Sequence, residues 1–159
     1  MNKTTARAYL LTASQTNLLV AEAITKGWVS GNAKDYFDAG VKTHMDQVSE
    51  MDVNSSVSSS AVDAYLAANP FNATTALEQI NTQYWISSFL NGPEAFANFR
   101  RSGFPKLSAN PFSGKAIKGD FINRLTYPNS EISVNSVNVK AAIANQGADD
   151  LDTKVWWNK

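Results

Sequence analysis

The chain has 159 residues, 43% of them hydrophobic and 18% charged, and its 14 Lys and Arg balance 14 Asp and Glu. That length fits one domain on a prior of about 150 residues each, and zero formal charge at a pI of 6.6 leaves no long-range field to gather phosphates, which argues against nucleic acid as a partner. With no cysteine there is no disulfide, thiolate nucleophile or Cys-based metal site, and the apolar run Leu18 to Ala21 falls far short of the ~18 residues of a membrane span.

Residues 1–11 lack the apolar core of a signal peptide, so any export signal is expected outside these residues, and 6–11 reads as an extended lead-in. Thr12 and Gln15 have capping-box spacing, and the Leu- and Ala-rich run from Ser14 to Lys26 ends at Gly27, which can take a left-handed stop. Asn32 can cap a second helix over 33–48, where Tyr36, Phe37, Val41, Met45 and Val48 recur on one stripe. The short turn between the two implies an antiparallel hairpin over 1–52.

Residues 53–60 read as a loop, followed by a short helix over 61–68 stopped by Asn69-Pro70. Thr75 and Glu78 repeat the capping-box spacing ahead of a helix carrying Leu77, Ile80, Tyr84 and Trp85, the last assigned to the core. Pro93 suits the first turn of the next helix, over 94–101, with Phe96 and Phe99 expected inward and Gly103 as its stop. Between Phe104 and Asn135 prolines and glycines break the period, leaving one candidate strand at 121–127; a loop this long usually serves function or packs on a partner. A last helix is expected over 137–146, capped by Asn135 or Ser136 and closed by Gly147.

No metalloprotease, nucleophile-elbow or Walker A motif occurs, and the glycine spacing from Gly114 to Gly119 puts Asp120 where a phosphate-binding Lys is required. His44 is the sole histidine and reads as structural or surface. Asp149, Asp150 and Asp152 lack the central Gly and terminal Glu of a calcium loop and read as a solvated acidic turn. Arg100 and Arg101, near Glu94, read as an ion pair locking helix to loop. The remaining resource is aromatic: the flat faces of Trp and Tyr suit the C–H faces of sugars as well as a core.

Several motifs in one order together resemble a known family. Ala21-Glu22-Ala23, Gly27-Trp28 and Tyr36-Phe37 with Gly40-Val41 resemble the "AEA…GW…YY-x-x-GI" hairpin of the SusD/RagB-like proteins. Gln83-x-Trp85-Ile86, Asn91-Gly-Pro-Glu-Ala-Phe96 and Arg100-Arg-Ser-Gly-Phe-Pro105 are similar to that family's helix, "NGPEAW" turn and "RRTGYP" segment. Arg124-x-x-Tyr127-Pro128 with Glu131 and Asn135, and Thr153-x-Val155-Trp156-Trp157, resemble its "R-x-x-YP-x-x-E-x-x-x-N" and "T-x-VWW" elements. Gln15, His44, Phe96 and Ser102 depart from the pattern, and the Phe96 and Ser102 changes preserve its packing and capping chemistry.

The resemblance implies a mainly α fold, a TPR-like helical hairpin (1–52) followed by helices and long ordered loops (53–159), forming the C-terminal portion of a single SusD-like domain in a longer protein. It implies an outer-membrane, cell-surface lipoprotein whose anchor lies outside this chain. Such a protein binds starch, other glycans or oligomeric nutrients without a cofactor and passes them to a TonB-dependent (SusC-like) transporter. Within that reading Trp28 and Tyr127 are the ligand candidates, because each adjoins a Gly or Pro turn that can leave a ring face exposed. Two other readings stay open on the residues: a TPR-type docking module that grips a partner helix, and a glycoside hydrolase using Glu94 and Glu131.

Overall fold

The computed structural model describes residues 8–158, apart from the side chain of Val53; residues 6 and 7 of the expected lead-in lie outside them. Seven α-helices follow one another among these residues, without a strand: α1 (Ala13–Thr25), α2 (Ala33–Met51), α3 (Ser59–Ala68), α4 (Ala76–Ser87), α5 (Gly92–Ser102), α6 (Asn129–Val134) and α7 (Ser136–Gln146). They fall into two compact units, residues 1–105 and 106–159. No helix of the described residues is long and apolar enough to cross a membrane.

In the first unit, α1 starts where its sequence says it should. Thr12 Oγ1 accepts the Gln15 N–H at 3.1 Å while Gln15 Oε1 accepts the Thr12 N–H at 3.0 Å, which satisfies two amides the helix leaves unpaired. Gly27, at φ 73°, supplies the left-handed turn after its end. α2 runs one turn beyond the expected 48, and Asn32 caps it by accepting the Lys34 N–H at 3.1 Å. α1 lies against both α2 and α4. The core they enclose is Leu18, Ala21, Phe37, Val41, Ala76, Ile80 and Tyr84, with Met45, Tyr65, Leu66 and Phe71 against it. Close approach of α1 and α2 rests on Gly40. A Cβ there would stand 2.7 Å from Leu18 Cγ, and the gap lets Ser14 Oγ donate to the Gly40 carbonyl at 2.7 Å.

Three local expectations are corrected here. Thr75 makes no capping hydrogen bond, because at φ −118° and ψ 18° its backbone is not extended in the way a cap requires. The turn before α4 is held instead by Asn72, which accepts the Thr74 N–H at 2.9 Å and gives its own N–H to Gln79 Oε1 at 2.8 Å. Trp85 is 38% exposed: α4 buries the stripe Ala76, Ile80, Tyr84 and Ser87, and Trp85 is one step off it. On α5, Phe96 and Phe99 are only half-buried and Asn98 is the buried residue. The helix itself is bounded as expected, by the Asn91 cap, Pro93 in the first turn and Gly103 at φ 74°.

The second unit is mostly loop. Its expected strand at 121–127 does not form, since the amides there are served from the tail rather than by a neighbouring strand. The Asn123 N–H donates to the Leu151 carbonyl at 2.8 Å and the Tyr127 N–H to Asp149 Oδ1 at 3.1 Å. A short helix, α6, occupies part of what reads as loop. α7 begins one residue before 137 and stops at Gly147, where φ is 113°, but Asn135 gives it no side-chain cap.

Candidate functional site

Three constellations hold the polar and aromatic residues singled out from the sequence. The first is a polar node inside the first unit. Glu22 follows Ala21 on the stripe that α1 turns to the core, and its carboxylate accepts both terminal nitrogens of Arg101, Nη1 at 2.6 Å and Nη2 at 2.8 Å. Arg101 Nη2 also donates to Asn81 Oδ1 at 3.1 Å and Asn98 Oδ1 at 2.9 Å, and Lys26 Nζ reaches Glu22 at 2.7 Å. Burial alone would push the Glu22 carboxyl up; the hydrogen bonds from Arg101 and Lys26 outweigh it and hold the group at about 2. Glu94, expected beside Arg100 and Arg101, acts on Arg101 only through its charge: the guanidinium pKa is raised chiefly by the Glu22 hydrogen bond and also by Glu94. It accepts the Tyr84 hydroxyl at 2.7 Å, and burial together with that carboxylate raises the phenol above its usual range. With both carboxylate oxygens of Glu22 engaged, the node ties α1, α4 and α5 together.

The second constellation is the tip of the helical hairpin. Trp28 follows the Gly27 turn and is 72% exposed, with Val29 exposed beside it. Lys26 Nζ lies 4.8 Å from the centroid of the Trp28 ring, a cation–π distance that steadies the indole in the open.

The third lies in the second unit, around Tyr127. Asp149 accepts Arg124 Nη2 at 2.9 Å as well as the Tyr127 N–H. The Arg124 guanidinium sits 5.0 Å from the Tyr127 ring centroid, and the ring is half-buried. The acidic turn is thus a set of clamps rather than a solvated face. Asp152 accepts the Lys118 and Gly119 N–H groups at 2.9 and 2.8 Å, and Asp150 accepts those of Asp152 and Thr153 at 3.1 and 2.7 Å. Hydrogen bonds from Thr153 hold Asp150, and those from Lys118 and Gly119 hold Asp152, below the ordinary carboxylate range. No group of three metal-ligating side chains occurs among the described residues. His44 is half-buried with Nδ1 unpaired, and burial lowers its pKa. Glu131, the second hydrolase candidate, accepts Asn135 Nδ2 at 2.7 Å.

Trp28 and Tyr127 therefore lie in different units, the first open and the second braced by Arg124. Sequence reasoning missed Glu22 and Asp149. A glutamate four residues after the buried Leu18, and so on the same helical face, is the signal that could have exposed the first, since a charge on a core stripe demands a partner.

Residues 1–128 match the profile of a SusD-like family described as starch-binding and associating with the outer membrane. The chain belongs to that family. Among solved structures this SusD-like chain is similar to a chitin-binding protein at 39% identity and TM-score 0.85, covering 91% of this chain and 32% of that one. A Bacteroidetes SusD-like protein matches at 33% identity and TM-score 0.84, over 92% of this chain and 29% of that one. A chitin-binding SusD homologue from Flavobacterium johnsoniae matches at 30% identity and TM-score 0.76, over 95% and 36%. The SusD-like chain thus spans about a third of the length of these structures. A comparison with curated proteins finds no match.

Proposed function

We propose that this chain is part of a longer, cell-surface SusD-like lipoprotein that captures glycans or other oligomeric nutrients without chemistry and delivers them to a TonB-dependent transporter of the outer membrane. The observation that carries the reading is family membership over residues 1–128, reinforced by two chitin-binding proteins among the similar structures. An insoluble or oligomeric sugar is recognised by surfaces that stack on its C–H faces and donate hydrogen bonds to its hydroxyls, and neither task needs a titrating group.

Trp28 suits the stacking role best, since its ring is exposed and its orientation is steadied by Lys26. Tyr127 would contribute from the second unit, its backbone held by Asp149 and its ring by Arg124. Glu94 and Glu131 are each engaged by a neighbouring side chain, which favours binding over hydrolysis. Isothermal titration of the full-length protein against a panel of chitin, starch and other oligosaccharides tests this. Saturable heat with one class, weakened several-fold in Trp28→Ala, is expected; no heat with any member contradicts it.

A further inference from the structure

We propose that Phe112, in the second unit, is a stacking platform for the C–H face of a pyranose ring in an uncharged oligosaccharide, a contact that rests on the glycan-binding reading above and adds a residue to it. The ring is 65% exposed, yet it is seated. It lies on the backbone of Gly114, so closely that a Cβ at that position would stand 2.7 Å from Phe112 Cε1 and 2.8 Å from Cζ. Those separations fall far inside the ~3.5–4.0 Å at which carbon atoms rest against one another, so the seat requires a glycine. Gly114, whose spacing to Gly119 imitates a phosphate loop, thus serves a ring rather than an anion.

The loop beneath the ring is fastened on both sides of it. Asn110 Oδ1 accepts the Phe112 N–H at 3.0 Å, the Phe112 carbonyl accepts the Lys115 N–H at 3.2 Å, and Lys115 Nζ donates to the Gly119 carbonyl at 3.0 Å. Asp152 then holds the Lys118 and Gly119 amides. One face of the ring is taken by backbone and the rest is presented in a fixed orientation, so a ligand meets it without first having to order it. Its surroundings say what that ligand is. Ser108, Asn110 and Ser113 are exposed polar neighbours in sequence, and no Asp or Glu occurs between Glu94 and Asp120. A surface destined for a protein partner is a contiguous apolar patch, whereas a single ring among amides and hydroxyls matches a molecule with an apolar face and a hydroxyl edge, which is a sugar. Lys115 is engaged by the Gly119 carbonyl and the charge of Lys118 acts on Asp150 and Asp152, which favours an uncharged sugar over an acidic one.

The test is isothermal titration of the full-length protein with soluble chitin and starch oligomers as probes, beside thermal melting of each variant. Phe112→Ala should weaken binding of the oligomer that the unaltered protein takes by about two- to tenfold, the worth of one ring contact, and leave the melting temperature unchanged. Phe112→Tyr, which keeps the ring, should bind as the unaltered protein does. Gly114→Ala, which keeps the ring and removes its seat, should weaken binding as well. Affinity unchanged in Phe112→Ala or Gly114→Ala, or lost in Phe112→Tyr, overturns the proposal and leaves the glycan reading standing. A melting temperature lowered by several degrees in Phe112→Ala assigns the ring to the fold and overturns it too. No heat from the unaltered protein with either probe overturns the proposal together with the reading it rests on.

Discussion

Glu22 sits where α1 presents its apolar stripe, so its charge must be answered inside the protein, and Arg101 and Lys26 answer it. Its pKa falls from 4.5 to about 2 on folding. A carboxylate depressed in this way stabilises the native state above its unfolded pKa, and that stability drains as pH falls through the folded value. Urea denaturation between pH 5 and pH 2 should therefore show a steep loss of stability that flattens in Glu22→Gln. At pH 7 the substitution should cost about 1–3 kcal/mol, less than a fully buried pair because Arg101 keeps contact with water. The pairing was not legible in the sequence: its partners are 79 positions apart, and the nearer Glu94 competes for Arg101 in any local reading. Asp149 was hidden similarly, since an Asp-rich turn looks solvated until Arg124 and the Tyr127 amide are brought to it.

At the scale of the helices, the signals that worked were those whose physics is complete within four residues. The Thr12–Gln15 box, the Gly27 and Gly103 stops and Pro93 at the head of α5 each bind or bend only their own backbone, and each is found where expected. Thr75 shows the limit, because its cap depends on a ψ set by the Asn72 turn ahead of it. Thr12→Ala should thus cost about 1 kcal/mol in thermal or urea unfolding, whereas Thr75→Ala should change stability by no more than a few tenths. The contact between α1 and α2 makes a sharper test. Gly40→Ala puts a Cβ 2.7 Å from Leu18 Cγ and should destabilise by about 1–3 kcal/mol. Leu18→Ala alone should cost about 2–5 kcal/mol, and the double variant should fall short of the sum because the cavity receives the new methyl.

For the whole molecule, the two units differ in how they are held. The first has a continuous core contributed by α1, α2 and α4, while the second holds its loops by carboxylates on backbone amides and buries Val139 as its single core-class apolar side chain among the described residues. Residues 1–105 produced alone should show helical circular dichroism and a cooperative melt, and residues 106–159 alone should show neither. The loss of helical period after Phe104 was visible in the sequence, but not what replaces it, since clamps between residues 118–127 and 149–153 have no period to read. The central claim, capture without chemistry, is tested most directly by incubating the full-length protein with a polysaccharide it retains and measuring bound polymer and released reducing ends together. Saturable retention with no new reducing ends, the polymer recovered at its starting length, is the predicted result; reducing-end release that disappears in Glu94→Gln or Glu131→Gln would contradict it.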